Sequence, residues 1–97
     1  MKQFNPPHPG EFILETYMKP FGLSCRYLAT KLDVAPSTLN RILMQKSGVS
    51  PEMALRLSKA LGGSPESWLN MQQNRDLWLA KKRIKLMRVK KVRLNAA

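Results

Sequence analysis

Four residues in the stretch "ATKLDVAPSTLNRIL", Ala29 to Leu43, carry the side chains that read the edges of bases: Ser37, Thr38, Asn40 and Arg41. Arginine pairs bidentately with guanine in a DNA major groove, asparagine pairs with adenine, and a threonine methyl packs on that of thymine. If the segment is helical, Ser37 and Arg41 are i, i+4 neighbours and Thr38 and Arg41 are i, i+3, so one polar face, edged by Met44, presents them together. Ser24, Arg26, Lys31, Gln45, Lys46 and Ser47 flank this face at helix starts and in the following loop, where groups that hold phosphates stand. They would supply register and salt-dependent affinity, not sequence choice.

Other chemistries find little material. His8 is the single histidine, followed by Pro9, and no Cys or carboxylate cluster accompanies it, so a helix-entry role is expected in place of a metal site or a catalytic base. Glu11 and Glu15 lie one helical turn apart, a spacing that on an exposed helix means solvated carboxylates. Cys25 has Arg26 beside it, which can lower a thiol pKa, yet an incidental cysteine is the simpler reading. A nucleophile, a base and an orienting group cannot be assembled from these residues, so neither an enzyme nor a cofactor or metal is expected.

A face that reads DNA must be held by a second helix across a tight corner. Ala29 supplies the small residue where two helices would cross, Val34 the apolar pin of the turn, and Leu39, Ile42 and Leu43 the inner face at i, i+3, i+4. The remaining punctuation is helical too. A first helix starts at "HPGE", with Pro9 in the first position and Glu11 at the positive end, carries Phe12, Ile13 and Tyr17 inward, and ends at "KPFG". Ser24 caps a second helix to about Leu32, with Leu28 and Leu32 inward, and Pro36 opens a third to about Met44, leaving by "QKSG". The tripeptide "SPE" recurs at Ser50 and Ser64 as two further starts. The fourth helix then carries Met53, Ala54, Leu57 and Leu61 on one face before Gly62 and Gly63, and the fifth carries Trp68, Leu69, Gln72 and Leu77. The fold class expected is all-α.

With 97 residues there is room for one modest core, expected over residues 1–82, followed by a basic tail over 83–97. Beyond Lys82 to Ile84 the apolar residues sit two apart and no helical stripe persists, so the tail is expected to be extended or partly disordered. The net charge of +11 favours polyanionic partners, but residues 1–74 carry eight Lys and Arg against five Asp and Glu, while 75–97 carry nine against one. Most of the charge therefore belongs to the tail, and the run from Lys81 to Arg93 is either a solvated segment or a non-specific nucleic-acid contact. Trp68 and Trp78 are expected as core or dimer anchors, and Trp78, Leu79 and Ile84 as a dimer interface. The start "MKQFNPPHPGEF" lacks a signal-peptide pattern, there is no membrane-length apolar run, and Cys25 is the only cysteine, so a cytoplasmic location without a membrane partner is expected.

The pieces "HPGEFILE", "LATKLDVAPSTLNRIL", "SPEMALRLSKALGGSPESWLNMQ" and "DL", spread over Pro7 to Leu77, resemble the HigA-type antitoxins within the Xre/Cro-like helix-turn-helix group. The resemblance implies a five-helix, lambda-repressor-like domain that dimerises, binds a palindromic operator on double-stranded DNA and represses its own operon. It also implies neutralisation of HigB, a RelE-like toxin that cleaves mRNA. The recognition helix then maps to Ala35–Met44, with operator contacts at Ser37, Thr38 and Arg41. Three features depart from the pattern. Asp33 stands where the turn commonly has Gly, a position that Asp tolerates in a left-handed conformation. Ala35 replaces a Ser or Thr cap and leaves the first N–H groups open to a phosphate. The tail is basic, and would repel a basic toxin. A solitary Xre-type transcriptional regulator without a toxin would lack a toxin reading frame beside its own. An RNA-binding protein acting through its basic tail would lose binding on deletion of 83–97 and scarcely notice Arg41→Ala.

Overall fold

The computed structural model describes residues 5–95, so Met1–Phe4 of the N-terminal stretch and Ala96 and Ala97 of the tail lie outside the described residues. Five helices fill the described chain, with no strand among the described residues. Helix α1 runs continuously through Pro9–Ile13, Leu14–Met18 and Lys19–Phe21. Helix α2 is Cys25–Leu32, α3 is Pro36–Leu43, α4 is Pro51–Leu61 and α5 is Pro65–Arg83.

The starts follow the side chains that satisfy free backbone donors. Ser24, Ser50 and Ser64 accept from the N–H of Tyr27, Met53 and Ser67 at 3.0, 3.1 and 3.0 Å. At Ser64 the bond is reciprocated, because the Ser64 N–H donates to the Ser67 hydroxyl at 3.1 Å; a serine here closes the box that a Glu or Gln commonly closes. His8 caps α1, its Nδ1 accepting from the Gly10 N–H at 2.9 Å.

Helix α1 ends within "KPFG", as expected, by way of a π turn. Pro20 does not stop the helix, because the preceding turn is π-wound, with the Lys19 N–H donating to the Leu14 carbonyl five residues back. The wider turn relieves the clash a proline ring makes with the carbonyl four residues earlier, and the helix continues until Gly22 turns left-handed at φ 64°.

Ile13, Leu28, Leu32, Leu39, Ile42, Met53, Leu57 and Trp68 meet in one core, with Ala29 and Ala54 fully buried among them. Phe12 lies edge-on to both Tyr17 and Trp68, with ring centroids 5.9 and 5.7 Å apart. Helix α1 packs on α3 and α5, α2 on α3 and α4, and α4 on α5, so the α2–α3 pair is backed on every inner side. Leu77 faces solvent, because α5 runs on past the helices it packs against. After Arg83 the chain turns extended at Ile84, makes one turn in which the Val89 N–H donates to the Leu86 carbonyl at 3.0 Å, and leaves its apolar side chains exposed up to 88 % at Leu94.

Candidate nucleic-acid interface

The corner between α2 and α3 is closed by backbone geometry. Asp33 is left-handed (φ 58°, ψ 48°), which lets its N–H reach the Thr30 carbonyl at 3.1 Å and the Val34 N–H reach that of Ala29 at 3.0 Å. This double closure is the usual left-handed helix stop, made here without glycine. Ala29 is fully buried at the crossing and Val34 half-buried in the turn.

A residue from outside the helix pair completes the corner. Arg56, from α4, donates through one terminal nitrogen to the carbonyls of Leu32 and Asp33 at 2.9 and 3.0 Å, and lies 3.8 Å from the Asp33 carboxylate. The last carbonyls of a helix carry partial negative charge, so a cation placed on them both bonds and complements the dipole. Its contact spans 24 residues, and no local pattern announces it.

Helix α3 presents two faces. Leu39 and Ile42 are buried and Leu43 is half-buried, while Ser37, Asn40 and Arg41 are exposed and Thr38 is half-buried at the edge. The structure thus brings the four candidate base readers onto one accessible side. Arg41 forms no ion pair among the described residues, whereas the Asn40 amide donates to the Met44 sulfur at 3.5 Å. Ala35 caps α3 with no side-chain bond, Pro36 has no N–H, and the Cys25 thiol donates to the Pro36 carbonyl at 3.6 Å. Cys25 thereby braces the start of α3 against the start of α2.

Ser24, Arg26, Lys31, Ala35, Gln45, Lys46 and Ser47 are all exposed. The Ser24 hydroxyl is engaged in its cap, and the Lys31 ammonium sits 5.4 Å from the centroid of the Tyr27 ring. Gln45 turns left-handed at φ 61°, and the N–H groups of Lys46 and Ser47 both donate to the Arg41 carbonyl, at 2.8 and 3.2 Å. The loop carrying the candidate phosphate groups is therefore tied to the helix carrying the candidate base readers. It is anchored again beyond, where the Val49 N–H donates to the Gln72 side chain of α5 at 2.9 Å.

His8 is buried behind this loop. Burial first, and then the Arg75 guanidinium, hold its pKa below the ordinary 6.5, against opposing effects from Asp76, the Ser47 backbone and Glu11. A neutral ring is what the cap requires, since Nδ1 must accept. Arg75 itself ties the N-terminal stretch to α5, donating to the Asn5 side chain at 2.6 Å and the Pro6 carbonyl at 3.0 Å. No group of three or more His, Cys, Asp or Glu is placed to hold a metal ion among the described residues. Trp78 is half-buried on α5 under the Lys82 ammonium, 3.9 Å from its ring centroid, and Leu79 and Ile84 are exposed nearby in sequence.

Residues 14–69 match the family model described as helix-turn-helix. The chain belongs to the HigA-type branch of the helix-turn-helix family. The antitoxin GraA, solved in complex with its operator, is 40 % identical to this helix-turn-helix chain, with a TM-score of 0.81 over 100 % of this chain and 98 % of that one. The Pseudomonas aeruginosa antitoxin HigA, solved with the higBA promoter, is 30 % identical with a TM-score of 0.74, covering 84 % of this chain and 98 % of that one. Virulence-associated protein I of Dichelobacter nodosus is 48 % identical over 75 % of this chain and 68 % of its own length. The family is one of DNA-binding proteins, not of enzymes, and this member is antitoxin-like in sequence and fold. None of its helices is long and apolar enough to cross a membrane, among the described residues.

Proposed function

We propose that this protein is a dimeric antitoxin that represses its own operon by binding a palindromic operator and that neutralises a HigB- or RelE-like toxin. The observation that carries the DNA half is the outer face of α3: Ser37, Asn40 and Arg41 are exposed, with Thr38 at the edge, over an inner face of buried Leu39 and Ile42. In this reading Ser37, Thr38, Asn40 and Arg41 contact bases. The exposed groups of Ser24, Arg26, Lys31, Gln45, Lys46 and Ser47, with the uncapped start of α3 at Ala35, hold phosphates.

One recognition helix reads only a few base pairs, so operator specificity needs two of them, about 34 Å apart on successive major grooves. Trp78, Leu79 and Ile84 supply apolar surface for the dimer. The GraA complex with its operator and the Pseudomonas aeruginosa HigA structure with the higBA promoter support the operator, and the antitoxin names of both support the toxin partner. The domain is assigned to residues 1–82 and the basic tail to 83–97. The site of action is the cytoplasm, where the operon lies.

Titration against the protein's own promoter DNA and against a scrambled duplex, at two salt concentrations and with Arg41→Ala in parallel, tests the reading. Tight binding to the promoter alone, lost in Arg41→Ala, is expected. Equal and salt-labile binding to both duplexes overturns it in favour of a basic tail that acts by charge, a second reading supported by the exposure of residues 84–95. Co-expression with the toxin encoded beside it, scored by cell growth, tests the antitoxin half.

A further inference from the structure

Between α2 and α4, on the side of the corner closed by Arg56, runs a groove of about 690 Å³. Its apolar lining comes from Leu23, Tyr27, Leu28, Leu32, Ala60 and Leu61. Three cations stand in its walls: Lys31 from α2, and Arg56 and Lys59 from α4, against one acid, Asp33. Arg56 is engaged with the turn carbonyls, and Lys31 lies over the Tyr27 ring. Lys59 is exposed and enters no ion pair among the described residues.

These features select an occupant by chemistry. The chain's own tail is excluded by charge, since Lys81 to Arg93 holds eight Lys and Arg and no acid. A nucleic-acid backbone satisfies the cations but leaves the exposed Tyr27 ring and the half-buried Leu23 and Leu61 uncovered. An acidic amphipathic helix satisfies both, with apolar anchors at i, i+3 and i+4 in the groove and carboxylates flanking them on Lys31 and Lys59. We infer that the α2–α4 groove is a docking site for an acidic, amphipathic helical segment of a partner protein.

The inference does not depend on operator binding, and its test is read without DNA. The full chain, isotopically labelled, is titrated with a helical peptide built only of Leu, Ala and Glu, and separately with the same peptide carrying Lys for Glu. The acidic peptide is expected to shift the amides of Tyr27, Lys59 and Leu61, and the basic peptide to shift none of them. Lys59→Glu should weaken the acidic peptide about tenfold. Ala60→Trp, which fills the groove from an exposed position, should abolish binding while the spectrum stays that of the folded chain. Shifts confined to residues 84–95, or equal affinity in Lys59→Glu, would overturn the inference. So would groove amides that respond to a DNA duplex and not to the acidic peptide.

Discussion

Gly10 of α1 lies directly against the backbone of Ile42 in α3. A Cβ built on Gly10 would stand 2.7 Å from the Ile42 carbonyl carbon, 3.0 Å from the Leu43 Cα, and closer still to the Ile42 carbonyl oxygen. The obstacle is main chain, which cannot swing aside as a side-chain end does. The angle at which α3 is presented is thus set by the absence of a side chain two helices earlier.

Gly10→Ala should therefore destabilise by more than the roughly 1–3 kcal/mol of ordinary overpacking. Gly22→Ala is the comparison, since Gly22 has nothing within 4 Å of a built Cβ and would feel only its left-handed φ of 64°, a cost of about 1 kcal/mol. Urea denaturation midpoints of the two variants should rank Gly10→Ala well below Gly22→Ala.

Arg56→Ala removes two bonds to the corner carbonyls of Leu32 and Asp33. Partial exposure of the guanidinium keeps the expected loss near 1 kcal/mol. Operator affinity should fall as well, although Arg56 is not among the proposed DNA contacts. A thermal melt and an operator titration measure the two losses, and a melt identical to that of the unmodified protein would mean that the corner closes without its clamp.

His8 makes stability depend on pH in one direction. Its folded pKa is depressed by burial and by Arg75, so its contribution is whole above the unfolded value of 6.5 and is lost as pH falls through the folded value. Protonation also removes the Nδ1 lone pair that caps α1. His8→Asn keeps a capping acceptor without the titration, and should flatten the urea midpoint between about pH 7 and 5, where the parent declines.

Arg41→Ala should cost about 1–3 kcal/mol per half-site and relax preference at one base pair. Lys46→Ala should instead weaken all sequences alike and reduce the salt slope by about 1. Competition titrations over a set of single-base operator variants separate the two behaviours.

Trp78→Ala combined with Leu79→Ala should shift the protein to monomers at micromolar concentration. Sedimentation velocity measures this directly, and a dimer that persists would place the interface on another face.

Much of the frame was legible because its signals are local. Ser24, Ser50 and Ser64 cap the helices their positions announce, and Ala29, Leu39 and Ile42 are buried as the corner requires. The outward face of α3 followed from the same period. What escaped notice acts across the chain. Arg56 looks like one more surface cation until the fold brings it to Leu32, and Gly10 looks like helix punctuation until Ile42 lies against it. The π turn that carries α1 through Pro20 to its end at Gly22 has no local signal either. Leu77 fits an inward period that ends only because α5 outruns its neighbours.

The bonds from Arg75 to Asn5 and Pro6 span 70 and 69 residues, and they constrain the order in which the protein can consolidate. Closing so long a loop carries an entropy cost that only a nearly finished core repays. During synthesis Asn5 and Pro6 lack this partner until the middle of α5 has left the ribosome. The α2–α3 corner, complete in sequence by Leu43, therefore waits for its support from the opposite end of the domain.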